Sequence, residues 1–173
     1  MEELDVLTET IIDSIPEYDR ISFTANNSIQ FKNKTLDVWS QELSFPVFEN
    51  DLTLDELEIY NALFIKTSDL IMINLANASA SYGLSKLQYA RAAIAAKKTI
   101  LEERKASGAR APGAEVLDNL ARSVVIDHYS TYKIAGLIQE FWKIQYDKLK
   151  LIDNRLTGMN ILRNVESKYA AHG

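Results

Sequence analysis

The sequence predicts a mainly α protein built on a long antiparallel helical hairpin, with a short C-terminal helix and a small N-terminal appendage combining a short helix and a β-hairpin. Three observations predict this. From Leu54 to about Ser107 there is no proline and a single glycine, Gly83, so nothing interrupts a helix. Within that run Ile73, Ala80, Leu87, Ile94 and Leu101 recur every seven residues, and Ala76, Gly83 and Ala90 follow the first three at a distance of three. The segment SGARAPG then places Gly108 where a helix can end with positive φ, and Pro112 where the next can begin. The domain division expected is an acidic segment over 1–51 and a hairpin domain over 52–173.

Taken in order, Leu4, Leu7, Ile11, Ile12 and Ile15 lie at helical spacing, and Pro16 disfavours continuation. Ile21 and Phe23, then Ile29 and Phe31, alternate with polar neighbours around Asn26–Asn27, a pair that tolerates a tight left-handed turn. This predicts a β-hairpin over 21–31, although an Asn-rich loop has the same composition. WSQELSFPVFEND, with Pro46 inside it, reads as a connector. Thr53 and Glu56 form a capping box at the start of the first long helix. Glu115 suits the positive end of the second, which runs from about Pro112 to Arg155 through Leu117, Leu120, Val124, Ile134, Ile138, Phe141, Leu149 and Ile152. A short link forces the two long helices antiparallel and puts 97–110 at the tip. Thr157–Gly158 are expected to break the run before a shorter helix carrying Ile161, Leu162 and Val165.

A hairpin of this length cannot bury all its apolar side chains alone. Ile65, Ile71, Met72, Ile73 and Leu75 crowd more than one face near its base. The surplus calls for the amino-terminal segment, for partner chains or for both; homo-oligomerisation is the preferred outlet, with Ile73, Ala80, Leu87 and Ile94 as the subunit interface.

Composition narrows the class. Of the 173 residues, 47% are hydrophobic and 25% charged, as in a globular domain. No apolar run is long enough for a bilayer, so no membrane association is expected. The acidic start MEELDVLTET argues against a targeting presequence. The absence of cysteine removes disulfides and thiolate metal sites, and the expected location is the cytoplasm, the host cytoplasm if the chain is phage-encoded. Net charge is −5, but unevenly spread. Residues 1–60 carry 14 acidic and three basic side chains, whereas 61–173 carry 16 basic and 10 acidic. Acidic and basic segments could pack on each other, or one face could meet polyanions.

Catalytic chemistry has little to work with. Asp127–His128 is the one adjacent carboxylate–imidazole pair, and helix neighbours point about 100° apart. GxxxxGK[ST], GxGxxG and HExxH do not occur. NDLTLDELE lacks the alternating oxygen ligands of a calcium loop. The expectation is no enzyme, no catalytic residues, no cofactor and no metal.

The basic stripe is more informative. Tyr82, Lys86 and Tyr89 follow one face at i, i+4 and i+7, and Lys97, Lys98, Arg104, Lys105 and Arg110 continue the charge to the tip. Lysine and arginine neutralise phosphates and tyrosine stacks on unpaired bases, which suits sequence-independent binding of single-stranded DNA. The same pattern also describes a solvated charged face with tyrosines beside the core. FWKIQYDKLK reads as core Phe141 and Trp142 with lysines snorkelling outward.

AAIAAKKTILEERKASGARAPG resembles the hairpin tip of the phage recombination mediators of the UvsY type, where a basic helix with a KK pair ends in an SG-containing turn. LIDNRLTGMNILRNVES is similar to that family's ending, with Arg155, Gly158, Ile161 and Arg163 in the matching places, and LTLDELEIYNAL resembles its entry into the first long helix. The likeness spans roughly 52–165. In this chain two residues separate the arginine from the glycine, and Lys105–Ala106 stand where the family often has an aromatic pair. The resemblance implies an oligomeric accessory that binds single-stranded DNA and helps load a recombinase onto DNA covered by single-strand-binding protein. It implies that Lys97, Lys98 and Arg104 meet the DNA backbone.

Two rival expectations belong to other classes. One is a protein-binding or virion assembly component, in which the surplus apolar surface is a subunit interface and the acidic N-terminal segment docks a basic partner. The other is an acidic inhibitor of a host nucleic-acid-binding system, with the N-terminal segment as a DNA mimic.

Overall fold

A computed structural model of the chain describes residues 28–46 and 52–170. The chain divides into two units, Met1–Val47 and Phe48–Gly173. The helix expected over 4–15 and the strand expected at Ile21–Phe23 lie outside the described residues.

In the first unit, β1 (Gln30–Phe31) pairs antiparallel with β2 (Lys34–Thr35), Gln30 opposite Thr35 and Phe31 opposite Lys34. The turn is Lys32–Asn33, both with positive φ (50° and 63°), the geometry whose twist matches a two-residue hairpin. Phe31 therefore sits in the first strand of this hairpin, and Asn26–Asn27 lie outside the described residues. Helix α1 (Leu36–Glu42) starts directly from β2, with the Thr35 hydroxyl accepting from the Val38 amide. Trp39–Glu42, expected in a connector, belong to this helix. Leu36 and Trp39 are buried, and the Trp39 indole N–H donates to the Phe31 carbonyl at 2.8 Å. That bond satisfies the one polar atom of a ring otherwise taken for its apolar area. Lys34 closes the unit by pairing with both Glu42 oxygens (2.6 and 2.7 Å) beneath the Trp39 ring.

The second unit is the predicted hairpin. Helix α2 (Leu54–Ala106) is opened by the Thr53–Glu56 capping box with both bonds present. Hydrogen bonds from the Thr53 amide first, and its hydroxyl second, hold the Glu56 carboxyl below its ordinary pKa. The helix ends at Ser107, and Gly108 has φ of 69° as expected.

The return path departs from a single helix. Helix α3 (Ala114–Val124) stops at Val125 (φ −110°, ψ 35°), and α4 (Ile126–Ala170) begins at once. Val124–Val125–Ile126 is a β-branched run, and the Ser123 hydroxyl donates back to the Leu120 carbonyl. Both weaken a helix locally. Conversely, α4 passes through Thr157–Gly158 without a break, so the expected separate C-terminal helix is the last part of α4. Glycine in a helix costs about 1 kcal/mol, and neighbouring contacts outweigh it. Leu156 is buried, Asn160 and Asn61 approach across the helices at 3.4–3.5 Å, and Arg163 donates to the Leu52 carbonyl.

The seam between α2 and α4 is built from small and polar residues on one side. On α2, Leu57, Ile71, Asn74, Ala78, Ser85 and Ala96 are buried. Facing them on α4 are Ala135, Trp142, Leu149 and Leu156 at seven-residue intervals, with Phe141 and Gln145. Trp142 is fully buried and meets Phe141 edge to face at 5.4 Å. The pairs Asn61–Asn160, Ser79–Gln139 and Tyr82–Tyr132 fix an antiparallel register that sets Trp142 level with Asn74 and Ala78.

Replacing Trp142 with alanine should therefore lower unfolding free energy by about 3–5 kcal/mol in urea melts. The lowered Glu56 pKa makes the cap's contribution full above the ordinary glutamate value and drains it as pH falls through the lowered one. Between about pH 6 and pH 3, wild-type stability should fall more than that of Glu56→Gln, measured by the urea midpoint.

Candidate nucleic-acid interface

The distal end of the hairpin gathers charge from three elements. The end of α2 contributes Lys97, Lys98, Arg104 and Lys105, the loop contributes Arg110, and α3 contributes Arg122. Glu102, Glu103, Glu115 and Asp118 share the region. Lys97 reaches across to Asp118 of α3, and Lys98 pairs with Glu102 one turn on at 3.8 Å. Both lysines thus have an anionic neighbour on the protein. Arg104, Lys105 and Arg110 are exposed on the last turn and loop, where the carbonyl end of α2 favours cations. An open groove of about 460 Å³ lies beside them, lined by Ile100, Glu103, Arg104, Ser107, Leu120, Ser123 and Val124.

Tyr82 and Tyr89 behave differently from the expectation of open stacking platforms. Tyr132 of α4 lies against both, at 5.5 Å from Tyr82 with 25° between planes and at 5.6 Å from Tyr89 with 1°. Tyr129 joins them, tilted at 5.3 Å from Tyr89. The four rings form a ladder that zips α2 to α4, and the faces turned to Tyr132 are not open to a base. Gly136 permits the approach: a Cβ there would stand 3.3 Å from Cε2 of Tyr82. Arg122 sits 5.2 Å from the Tyr129 ring, and Lys133 lies 5.5 Å from Tyr129 and 5.8 Å from Tyr132. Lys86, exposed, adds its field to the same cluster.

The Tyr82 hydroxyl, 3.5 Å away, is the chief reason the Tyr132 phenol is held above its ordinary pKa; desolvation adds to it, and Lys133 and Lys86 oppose it. Sequence periodicity did not single out Arg122, Tyr129, Tyr132 or Lys133. Tyr129 and Tyr132 stand at i, i+3 on α4, but only the register between the helices brings them to Tyr82 and Tyr89.

Ile73, Ala80, Leu87 and Ile94 are all exposed on α2, on the side away from α4. Asp127 and His128 are exposed. Among the described residues no group of three or more metal-ligating side chains comes together, and no helix is long and apolar enough to cross a membrane. No protein-family model, curated protein or solved structure matches the chain.

Removing the Tyr82 hydroxyl with Tyr82→Phe should let Tyr132 titrate at lower pH, read from tyrosinate absorbance against the Tyr132→Phe control.

Proposed function

We propose that the protein is a non-enzymatic, oligomeric accessory that binds single-stranded DNA along the distal end of its hairpin and helps load a recombinase. The observation that carries the binding is the convergence of Arg104, Lys105, Arg110 and Arg122 with Lys97 and Lys98 at one end of a long rod. A rod end exposes these groups over a wide angle, and no base-reading groove is needed for phosphate neutralisation. The tyrosine ladder serves chiefly as the mechanical support of that end, with ring edges and Lys86, Lys133 and Arg122 available to a passing strand. The recombinase-loading role follows from the resemblance of the tip and of the 151–167 segment to phage recombination mediators, with a recombinase or single-strand-binding protein as partner.

A second reading, a protein-binding or virion assembly component, is favoured by the exposed apolar row on α2. The two separate on one titration. Fluorescence anisotropy with a labelled single-stranded oligonucleotide should show saturable binding that weakens steeply with salt. Arg104→Glu, Lys105→Glu and Arg110→Glu together should weaken it by about 10–100-fold while circular dichroism stays unchanged, because none of the three spans the helix seam. Asp118→Asn, which releases Lys97, should tighten it. Flat anisotropy at low salt would abandon DNA binding and leave the protein-binding reading.

A further inference from the structure

Helix α2 carries two apolar rows: among the described residues one packs on α4, while the other borders the chain only at Ala90 and Ile94, which share an open groove with Asp118 and Arg122 of α3. Counting about 100° per residue from buried Ile71, the row Ile73, Ala80, Leu87 and Ile94 lies on the opposite side of the helix. Ile73, Leu87 and Ile94 are 59%, 49% and 68% exposed. Ala76, Gly83 and Ala90 alternate with them at coiled-coil spacing. Between Leu70 and Ser85 no side chain on α2 carries charge, which is unusual for about four exposed turns of a helix.

We propose that this face is covered by the same face of a second copy, antiparallel, across a dyad near Gly83. Two features of the row select that partner and that direction. Reversal about Gly83 sets Leu87 level with Ala80, Ala76 with Ala90, Gly83 with itself and Ile73 with Ile94, so the small residues meet at the centre and the isoleucines close the two ends. Ile73 falls level with the Ala90–Ile94 turn of the other copy, and Leu87 with its Ala76–Ala80 turn. Ala76, Ala80, Gly83 and Ala90 at the centre then let the helices approach closely.

Charge gives the second argument. Asp69 and Lys66 lie on this outer face at one end of the row, Lys98 and Glu102 lie on it at the other, and Arg91 lies on it between Leu87 and Ile94, level after reversal with the uncharged Asn77; all five charged residues are exposed. Reversal sets Asp69 level with Lys98 of the other copy and Lys66 level with its Glu102. Parallel, in-register pairing would instead set each charge against its like. The pairing deepens the oligomeric part of the proposed function and does not depend on DNA binding. It would place the two basic hairpin ends at opposite ends of the dimer, about 70 Å apart along the axis.

The chain contains no cysteine, so single-cysteine variants of the whole 173-residue chain report the geometry directly. Gly83 has open space around a built Cβ, so Gly83→Cys leaves the hairpin undisturbed. A short bis-maleimide should cross-link Gly83→Cys to itself. Ile73→Cys and Ile94→Cys should each fail alone, since 21 residues separate them by about 32 Å, and should cross-link when mixed. Self-cross-linking of all three variants would overturn the antiparallel direction. Cross-linking of Ile73→Cys to Ile144→Cys, with none at Gly83→Cys, would overturn self-pairing in favour of α2 docking on the outer face of α4. Gly83→Leu should keep full helicity and weaken self-association at least 100-fold by light scattering; an unchanged mass would overturn the close approach. A wild-type chain that stays monomeric at micromolar concentration would overturn the dimer and the oligomeric part of the earlier reading, whereas oligonucleotide binding on the same sample would stand or fall separately.

Discussion

Everything distal in this molecule depends on how α4 seats Trp142 against α2. A fully buried indole occupies a large volume, and a helix surface can receive it only where side chains are small. Helix α2 offers Asn74 and Ala78 at that level and Ser85 further along. The Ser85 hydroxyl is satisfied by the Ser81 carbonyl of its own helix, so its burial demands nothing of α4. Polar residues in such a seam add less stability than leucine would, but they restrict the number of acceptable registers. The cross-helix pairs at Asn61–Asn160 and Ser79–Gln139 are consistent with one register held along the rod.

That register has a consequence many turns away. It brings Tyr129 and Tyr132 onto Tyr82 and Tyr89, and with them Arg122 and Lys133 onto the side where α2 already carries Lys86. A basic stripe on one helix becomes a basic and aromatic surface shared by two. The distal cations divide in turn: Lys97 and Lys98 are drawn to carboxylates of the same chain, while Arg104, Lys105 and Arg110 stand on the terminal turn and loop. Surface ion pairs of this kind are worth about 1 kcal/mol or less and break readily when a polyanion competes. Arg104, Lys105 and Arg110 would therefore carry more of any phosphate affinity than the adjacent lysines emphasised by the sequence pattern.

Local chemistry was legible wherever one residue type decides the backbone. Thr53 and Glu56 open α2, Gly108 closes it, and the long proline-free run between them is one helix. Where several weak preferences compete, the sequence was ambiguous. A hairpin turns at Lys32–Asn33, where lysine at positive φ carries no compositional signal. Trp39 joins a helix because its indole reaches the Phe31 carbonyl, a contact that no window of sequence contains. Val125 interrupts a helix by crowding, and Gly158 fails to interrupt one because Leu156, Asn160 and Arg163 are held from α2 and the residue before its cap.

By itself the sequence determined the length of α2, its caps, the bend and the antiparallel return, because capping, proline geometry and glycine's positive φ act within a few residues. It also displayed two heptad rows on α2 without deciding between them. The row through Ile73, Leu87 and Ile94 is the more apolar, and burial of area alone would choose it. Tertiary structure chose the row through Ile71, Ala78 and Ser85, because α4 brings a tryptophan that only small neighbours can accommodate. The more hydrophobic face is thereby left outward, away from α4.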